Sequence, residues 1–317
     1  MLCKKDNIYV CMKGRNVKKK MKLKKVVGLG LALALAIGLT ACGQTGGNSG
    51  AGENSGGDSQ GGQGKVNLAY VEWDTEVAST NIMKVVLEDL GYDVEITPLD
   101  NSIMWNAVAT GEADGMVAAW LPATHGEQYE QYKDQVEDLG ANLEGAKIGM
   151  VVPEYMEANS IEDLKEEADK KITGIEAGAG VVAATEKAIE EYENLDGWEL
   201  VPSSSGAMVT ALAQAIENKE DVIVTGWSPH WKFQTYDLKY LEDPKEVYGG
   251  EEEIKTMVRQ GLKEDMPEVY SVLDNFNWPI EDMEAVMLEI SEGADPADAA
   301  RKWVDDNQDK VKEWTKQ

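Results

Sequence analysis

Cysteine and histidine are nearly missing from this chain: 317 residues contain three cysteines and two histidines. Cys3 and Cys11 precede the point where the basic leader would be cut, so the mature chain keeps Cys42 alone. That excludes an internal disulfide and any Cys/His metal centre. No D-x-D-x-D-G calcium loop, G-x-S-x-G elbow or H-E-x-x-H pair occurs either, so we expect no metal, no cofactor and no enzyme. Positive charge is scarce outside the leader. Thirty Lys and Arg face 58 Asp and Glu for a net of -28, and residues 1–41 alone carry +9, leaving -37 on the remainder. So acidic a surface repels phosphate, which excludes nucleic-acid partners. A long hydrophobic run is absent too. The apolar stretch 26–41 is too short for comfortable membrane spanning.

That stretch, behind a lysine-rich start and ending in small residues, reads as a secretory signal. Met21 opens a leader of ordinary proportions, so residues 1–20 read as an over-extended start. Leu39-Thr40-Ala41-Cys42 resembles the lipobox of bacterial lipoproteins, in which the cysteine is lipidated and becomes the first residue. The Gly/Ser/Asn/Gln-rich segment after it lacks anything to bury and reads as a flexible tether. The expected order is a signal peptide over 1–41 and lipidated Cys42 with its linker over 42–64. The globular body then lies at the extracellular face of the membrane, anchored by lipid.

From Lys65 onward, short apolar runs alternate with helical patterns. VNLAYVEW, DVEIT, GMVAAW, AKIGMVVP, KITGIE, WELV and DVIVTGW read as strands, and Ser160 reads as the cap of a charged helix, IEDLKEEADK. This alternation predicts an α/β fold with a parallel sheet in each half. From about Glu251 the apolar spacing reads as wholly helical. Two lobes facing each other over a ligand cleft follow, residues 65–144 plus 250–317 and residues 145–249, with the terminal helices returning to the first lobe.

Three stretches share one grammar: an apolar run, a tryptophan where the strand ends, then a helix start. Trp73 precedes Asp74 as cap, Trp120 precedes a Thr124/Glu127 capping box, and Trp227 precedes Ser228 as cap with Pro229 at the first helical position. In open α/β sheets the carboxyl edge of the strands is where ligands bind. Trp105, Trp278, Trp303 and Trp314 lie inside helical patterns and read as packing.

Indole faces attract cations, by about 0.5 to 1 kcal/mol when exposed and about 2 or more when desolvated. A quaternary ammonium has no N–H to offer an acceptor, so several such faces around one cavity are the means of holding it. An anionic end would need donors. Gly178 to Ala183 supplies a glycine turn and a helix start whose amides at Gly180 and Val181 can point at an anion. The same string also fits a G-x-G-x-x-A dinucleotide fingerprint or an ordinary βα turn. His125, five residues beyond Trp120, reads either as a donor to a carboxylate or as a surface residue at a helix start. His230 reads as support for Trp227.

Together AYVEWDTEVASTN, MVAAWLPATH, GIEAGAG, TGWSPHW and LKYLEDPKEVYG resemble the substrate-binding proteins of glycine betaine ABC importers. The likeness runs from Lys65 to Lys316. It implies a periplasmic-binding-protein-like fold and capture of glycine betaine. In the family three tryptophans cage the trimethylammonium while a histidine and two consecutive amides hold the carboxylate. The resemblance carries these roles to Trp73, Trp120 and Trp227, to His125, and to the backbone of Gly180 and Val181. It also implies a monomer working with a separate permease and ATPase. Choline, carnitine or proline betaine are alternative ligands, and a lipid-anchored sensory or hydrolytic protein is the alternative from another class.

Overall fold

Gly115–Leu121 has no ionisable or hydroxyl-bearing side chain, and such a run is stable only with both faces covered. All seven residues are buried. In the computed structural model, which describes residues 63–316, this run is the third strand of a mixed sheet. The strands are β1 (Lys65–Tyr70), β2 (Asp93–Pro98), β3 (Gly115–Leu121), β4 (Val136–Pro153), β5 (Lys171–Thr173), β6 (Glu199–Val201), β7 (Ile223–Ser228), β8 (Leu238–Tyr240) and β9 (Glu252–Arg259). The first helices are α1 (Asp74–Asp89), α2 (Asn101–Thr110), α3 (Gly126–Tyr132), α4 (Gly180–Glu191), α5 (Ser205–Asn218) and α6 (Lys232–Thr235). They are followed by α7 (Leu262–Asp265), α8 (Pro267–Asn275), α9 (Ile280–Ser291), α10 (Pro296–Asp306) and α11 (Gln308–Trp314). The signal peptide, Cys42 and most of the tether expected from the sequence lie outside the described residues.

The strand order is β2-β1-β3-β9-β4-β7-β5-β6, with β8 also on β4. One long strand joins two sheets. From Val136 to Ala146, β4 pairs with β9; from Lys147 it pairs with β7, and from Val151 with β8. The first lobe is thus β2-β1-β3-β9 with the front of β4, and the second is the back of β4 with β7, β5, β6 and β8. Helix α1 packs against α10, α9 and α8 beside the first sheet. Trp303 and Trp314 stack there at a ring separation of 5.6 Å, and Trp278 meets Trp303 edge-on at 5.7 Å. Each fully buried aliphatic side chain in such a layer contributes roughly 1.5 to 3 kcal/mol relative to exposure.

Four expectations are corrected. The chain after Glu251 is not wholly helical: Glu252–Arg259 forms β9, antiparallel to both β3 and β4. Glu252, Ile254 and Thr256 are buried in alternation, a period-two signal masked by the apolar spacing of MVRQGL. Consequently the sheets are mixed and not parallel; β1 is parallel to β2 and β3, and β5 to β6 and β7, but β4 and β9 run against their neighbours. The charged helix after Ser160 is two short 3-10 turns, Ile161–Asp163 and Glu167–Lys170. Ser160 does cap the first of them, with Asp163 closing a capping box, but Ala168, Asp169 and Lys170 adopt positive φ and end the helix. Finally, none of the three expected caps after the tryptophans forms. Trp73 and not Asp74 stands at the N-cap of α1, His125 at that of α3 and Trp231 at that of α6. Each freed side chain bonds elsewhere: Thr124 to Glu252, Ser228 to the Tyr240 hydroxyl, and Asp74 across the cleft.

Candidate functional site

Three strands deliver the tryptophans to one place. Trp73 follows β1, Trp120 is the penultimate residue of β3, and Trp227 is the penultimate residue of β7. All three are at most 6% exposed. Together with Thr75, Gly180 and Val181 they line a small cavity, completed by aliphatic groups such as Ile148 and Ile175. Trp73 and Trp120 come from the first lobe, Trp227 and the α4 start from the second, so the cavity exists only where the lobes meet.

Two of the three indoles are tied by their N–H edges to carboxylates. Trp120 donates to Glu76 Oε1 at 2.7 Å, and Trp73 donates to Glu176 on the opposite lobe. Trp227 differs, because its ring nitrogen is buried without a partner. On that ring the fully buried Lys232 places its ammonium nitrogen 4.4 Å from the centroid. Burial pulls the Lys232 amine down to about 7, with the charge of Asp74 opposing.

His125 is not on the cavity surface. It is fully buried beside Trp73, whose ring lies 5.8 Å away and nearly parallel, and Trp105 packs edge-on at 6.0 Å. Its Nδ1 accepts the Trp120 backbone N–H at 3.1 Å, which assigns the ring proton to Nε2. That Nε2 is buried and has no hydrogen-bond partner. Burial holds His125 down to about 3, with the Ala118 carbonyl pulling the other way, so the ring is neutral. The reading of His125 as a surface residue is therefore wrong, and what remains is a buried donor beside one cage indole, Trp73, and the packing indole Trp105.

At the other wall, α4 begins at Gly180 with Ala179 as N-cap and no side chain capping it. The first amides of a helix have no intrahelical acceptor, and the helix dipole adds positive potential there. Gly180 is required by a close approach. A Cβ at this position would stand 2.3 Å from the Thr124 carbonyl oxygen of the opposite lobe. Thr124 cannot easily retreat, because Glu252 accepts the amides of Ala123 and Thr124 at 2.8 Å each and the Thr124 hydroxyl as well.

The same region fastens the lobes together. Asp74 accepts Trp231 Nε1 at 2.7 Å and the Ser205 hydroxyl at 2.8 Å, and His230 Nε2 lies 3.5 Å from it. Burial pushes the Asp74 carboxyl up, but the nearby His230 together with the bonds from Trp231 and Ser205 outweighs that and holds it well below the usual range. Asn101 adds a bond to the Gly178 carbonyl at 3.2 Å. Sequence reasoning missed Glu76, Asp74 and Lys232. Among 58 acids the only available signal was position, one and three residues after Trp73.

Among the described residues no group of His, Cys, Asp and Glu has the geometry to hold a metal ion, and no helix is long and apolar enough to cross a membrane.

A stretch of 154 residues is 53% identical to the glycine betaine/carnitine transport binding protein of Listeria monocytogenes, covering 48% of this chain and 51% of that protein. The match thus spans about half the length of that curated relative. The crystal structure of lactococcal OpuAC, closed and complexed with glycine betaine, superposes with a TM-score of 0.79 at 56% identity, covering 80% of this chain and all of that one. An ABC-transporter choline binding protein in complex with choline superposes at 0.74 with 27% identity, covering 79% of this chain and 91% of its own. Residues 64–306 match the model of the substrate-binding domain of ABC-type glycine betaine transport systems, OpuAC, and the chain belongs to that family.

Proposed function

We propose that the protein is the extracellular receptor of an ABC importer, capturing glycine betaine between two lobes and delivering it to a separate permease and ATPase. The observation that carries this reading is the convergence of Trp73, Trp120 and Trp227 from two lobes on one cavity. Indole faces take the trimethylammonium. The amides of Gly180 and Val181 and the Nε2–H of His125 take the carboxylate, the last after a small shift that brings the imidazole to the cavity surface. The lobes are residues 65–144 plus 250–317 and residues 145–249. Cys42 carries the lipid that keeps the monomeric body at the membrane, and no bond of the ligand is made or broken.

The energies are sufficient. A best-case efficiency of about -1.5 kcal/mol per heavy atom caps a ligand of this size near -12 kcal/mol, and micromolar affinity needs only about -8. Desolvated indole contacts and charge-assisted hydrogen bonds supply that. Calorimetry with glycine betaine, proline betaine, carnitine and choline tests the reading, with micromolar binding expected for trimethylated zwitterions. Trp120→Ala is expected to lose about a hundredfold in affinity; unchanged affinity would remove the cage. Choline is the second reading, favoured by the choline-complexed relative, and it predicts a ligand ranking with choline first.

A further inference from the structure

Glu76 is an acid behind the cavity wall and not on it. It stands in the first turn of α1 and is 1% exposed. One carboxylate oxygen accepts the Trp120 indole N–H at 2.7 Å and the other takes the Thr75 hydroxyl. Trp120 and Thr75 both line the cavity. Burying a carboxylate is unfavourable, and burial pushes this one up to about 7 despite its bonds to Thr75 and Trp120, with the charge of Asp74 adding to the rise. A neutral glutamine would hold the indole edge without that penalty, so the charge itself calls for a use.

Trp227 is the contrast within the same cage. Its N–H has no partner and its ring carries the Lys232 ammonium, so its face is the poorer one for a second cation. The acid that Trp73 meets, Glu176, belongs to the other lobe and is half-buried. Glu76 is thus the fully buried negative group bonded to a cage indole.

We propose that Glu76 is a specificity-determining residue of this site: its carboxylate, bonded to the edge of Trp120, makes the cavity prefer a trimethylammonium over a neutral group of the same shape. A carboxylate on the N–H edge pushes electron density into the ring and deepens the negative face. In a water-poor wall its own charge also reaches the ligand with little screening. Glu76 acts through Trp120 and touches no ligand. The inference rests on the reading of the cavity as a quaternary ammonium site.

The test compares glycine betaine with its carbon isostere 3,3-dimethylbutanoate, which keeps shape and carboxylate and lacks the positive charge. Affinities are measured by calorimetry at a pH where Glu76 is ionised. In Glu76→Gln the betaine affinity is expected to fall about tenfold while that of the isostere moves less than about twofold. Both ligands weakening together, or neither, would overturn the proposal and leave Glu76 a packing residue. Glu76→Asp keeps the charge and is expected to keep the preference. Should the glutamine variant fail to fold, the aspartate variant decides, since a preference lost with the charge in place refutes the idea. Wild-type protein that binds neither ligand would refute the reading of the cavity and not the role of Glu76.

Discussion

Trp120-Leu121-Pro122 and Trp227-Ser228-Pro229 end their strands alike, each through a cis proline bond, and each is followed by a fully buried histidine. In both histidines Nδ1 accepts a backbone N–H, from Trp120 for His125 and from Lys232 for His230, and in both Nε2 lacks a hydrogen-bond partner. They differ in what faces that nitrogen. Asp74 of the opposite lobe lies 3.5 Å from His230, whereas among the described residues no acid pairs with His125. The second lobe's histidine meets an acid of the protein itself, and on the function proposed above the first lobe's serves an acid that arrives with the ligand. On that reading one motif used twice serves closure on one side and recognition on the other.

The sharpest way to break this comparison is to remove each histidine in turn. His125→Ala is expected to weaken glycine betaine about a hundredfold, the loss of a charge-assisted bond, and to leave choline within about threefold. His230→Ala should weaken both ligands alike and by less; equal, betaine-selective losses in calorimetry would show that the two histidines share one role. Gly180→Ala probes the point where the walls touch. Its methyl meets the pinned Thr124 carbonyl, so affinity should drop by about tenfold or more, while the melting temperature of the ligand-free protein stays nearly constant. Asp74→Asn keeps the shape of the clasp and removes its charge. About fivefold weaker binding is expected, mostly as faster release in stopped-flow tryptophan fluorescence.

The smallest effect is a slope. Burial holds His125 down to about 3 and His230 to about 4. Below the ordinary value of 6.5 the unfolded chain takes protons that the folded one refuses, so these two groups make stability rise with pH. Burial raises Glu76 from 4.5 to about 7, and there the folded chain keeps a proton the unfolded one has lost, which makes stability fall with rising pH. Between about pH 5 and 6.5 the balance is one proton, roughly 1.4 kcal/mol per pH unit in favour of higher pH. Lys232, lowered to about 7, is protonated in both states there and drops out. Glu76→Gln should double the slope in urea titrations, and an unchanged slope would mean that Glu76 is already ionised in the folded state.

Much of the cage was legible because strand ends are local events. An apolar run, a tryptophan and a break place Trp73, Trp120 and Trp227 at an edge whatever the rest of the chain does. The Gly178 to Ala183 turn was legible for the same reason. The caps were not, because Asp74, Thr124 and Ser228 each found a stronger partner far along the chain, in Trp231 and Ser205, Glu252 and Tyr240. Strand β9 was hidden by an apolar spacing that fits two periods at once, and its burial between β3 and β4 decided between them.

Composition and local pattern alone settled the α/β class and the identity of the aromatic wall, since these depend on which residues are present and on their near neighbours. Tertiary structure decided which acid stands behind which indole, that His125 is buried and neutral, and that Gly180 must lack a side chain. These depend on distances between residues far apart in sequence, and on the loss of water that makes a single buried charge matter.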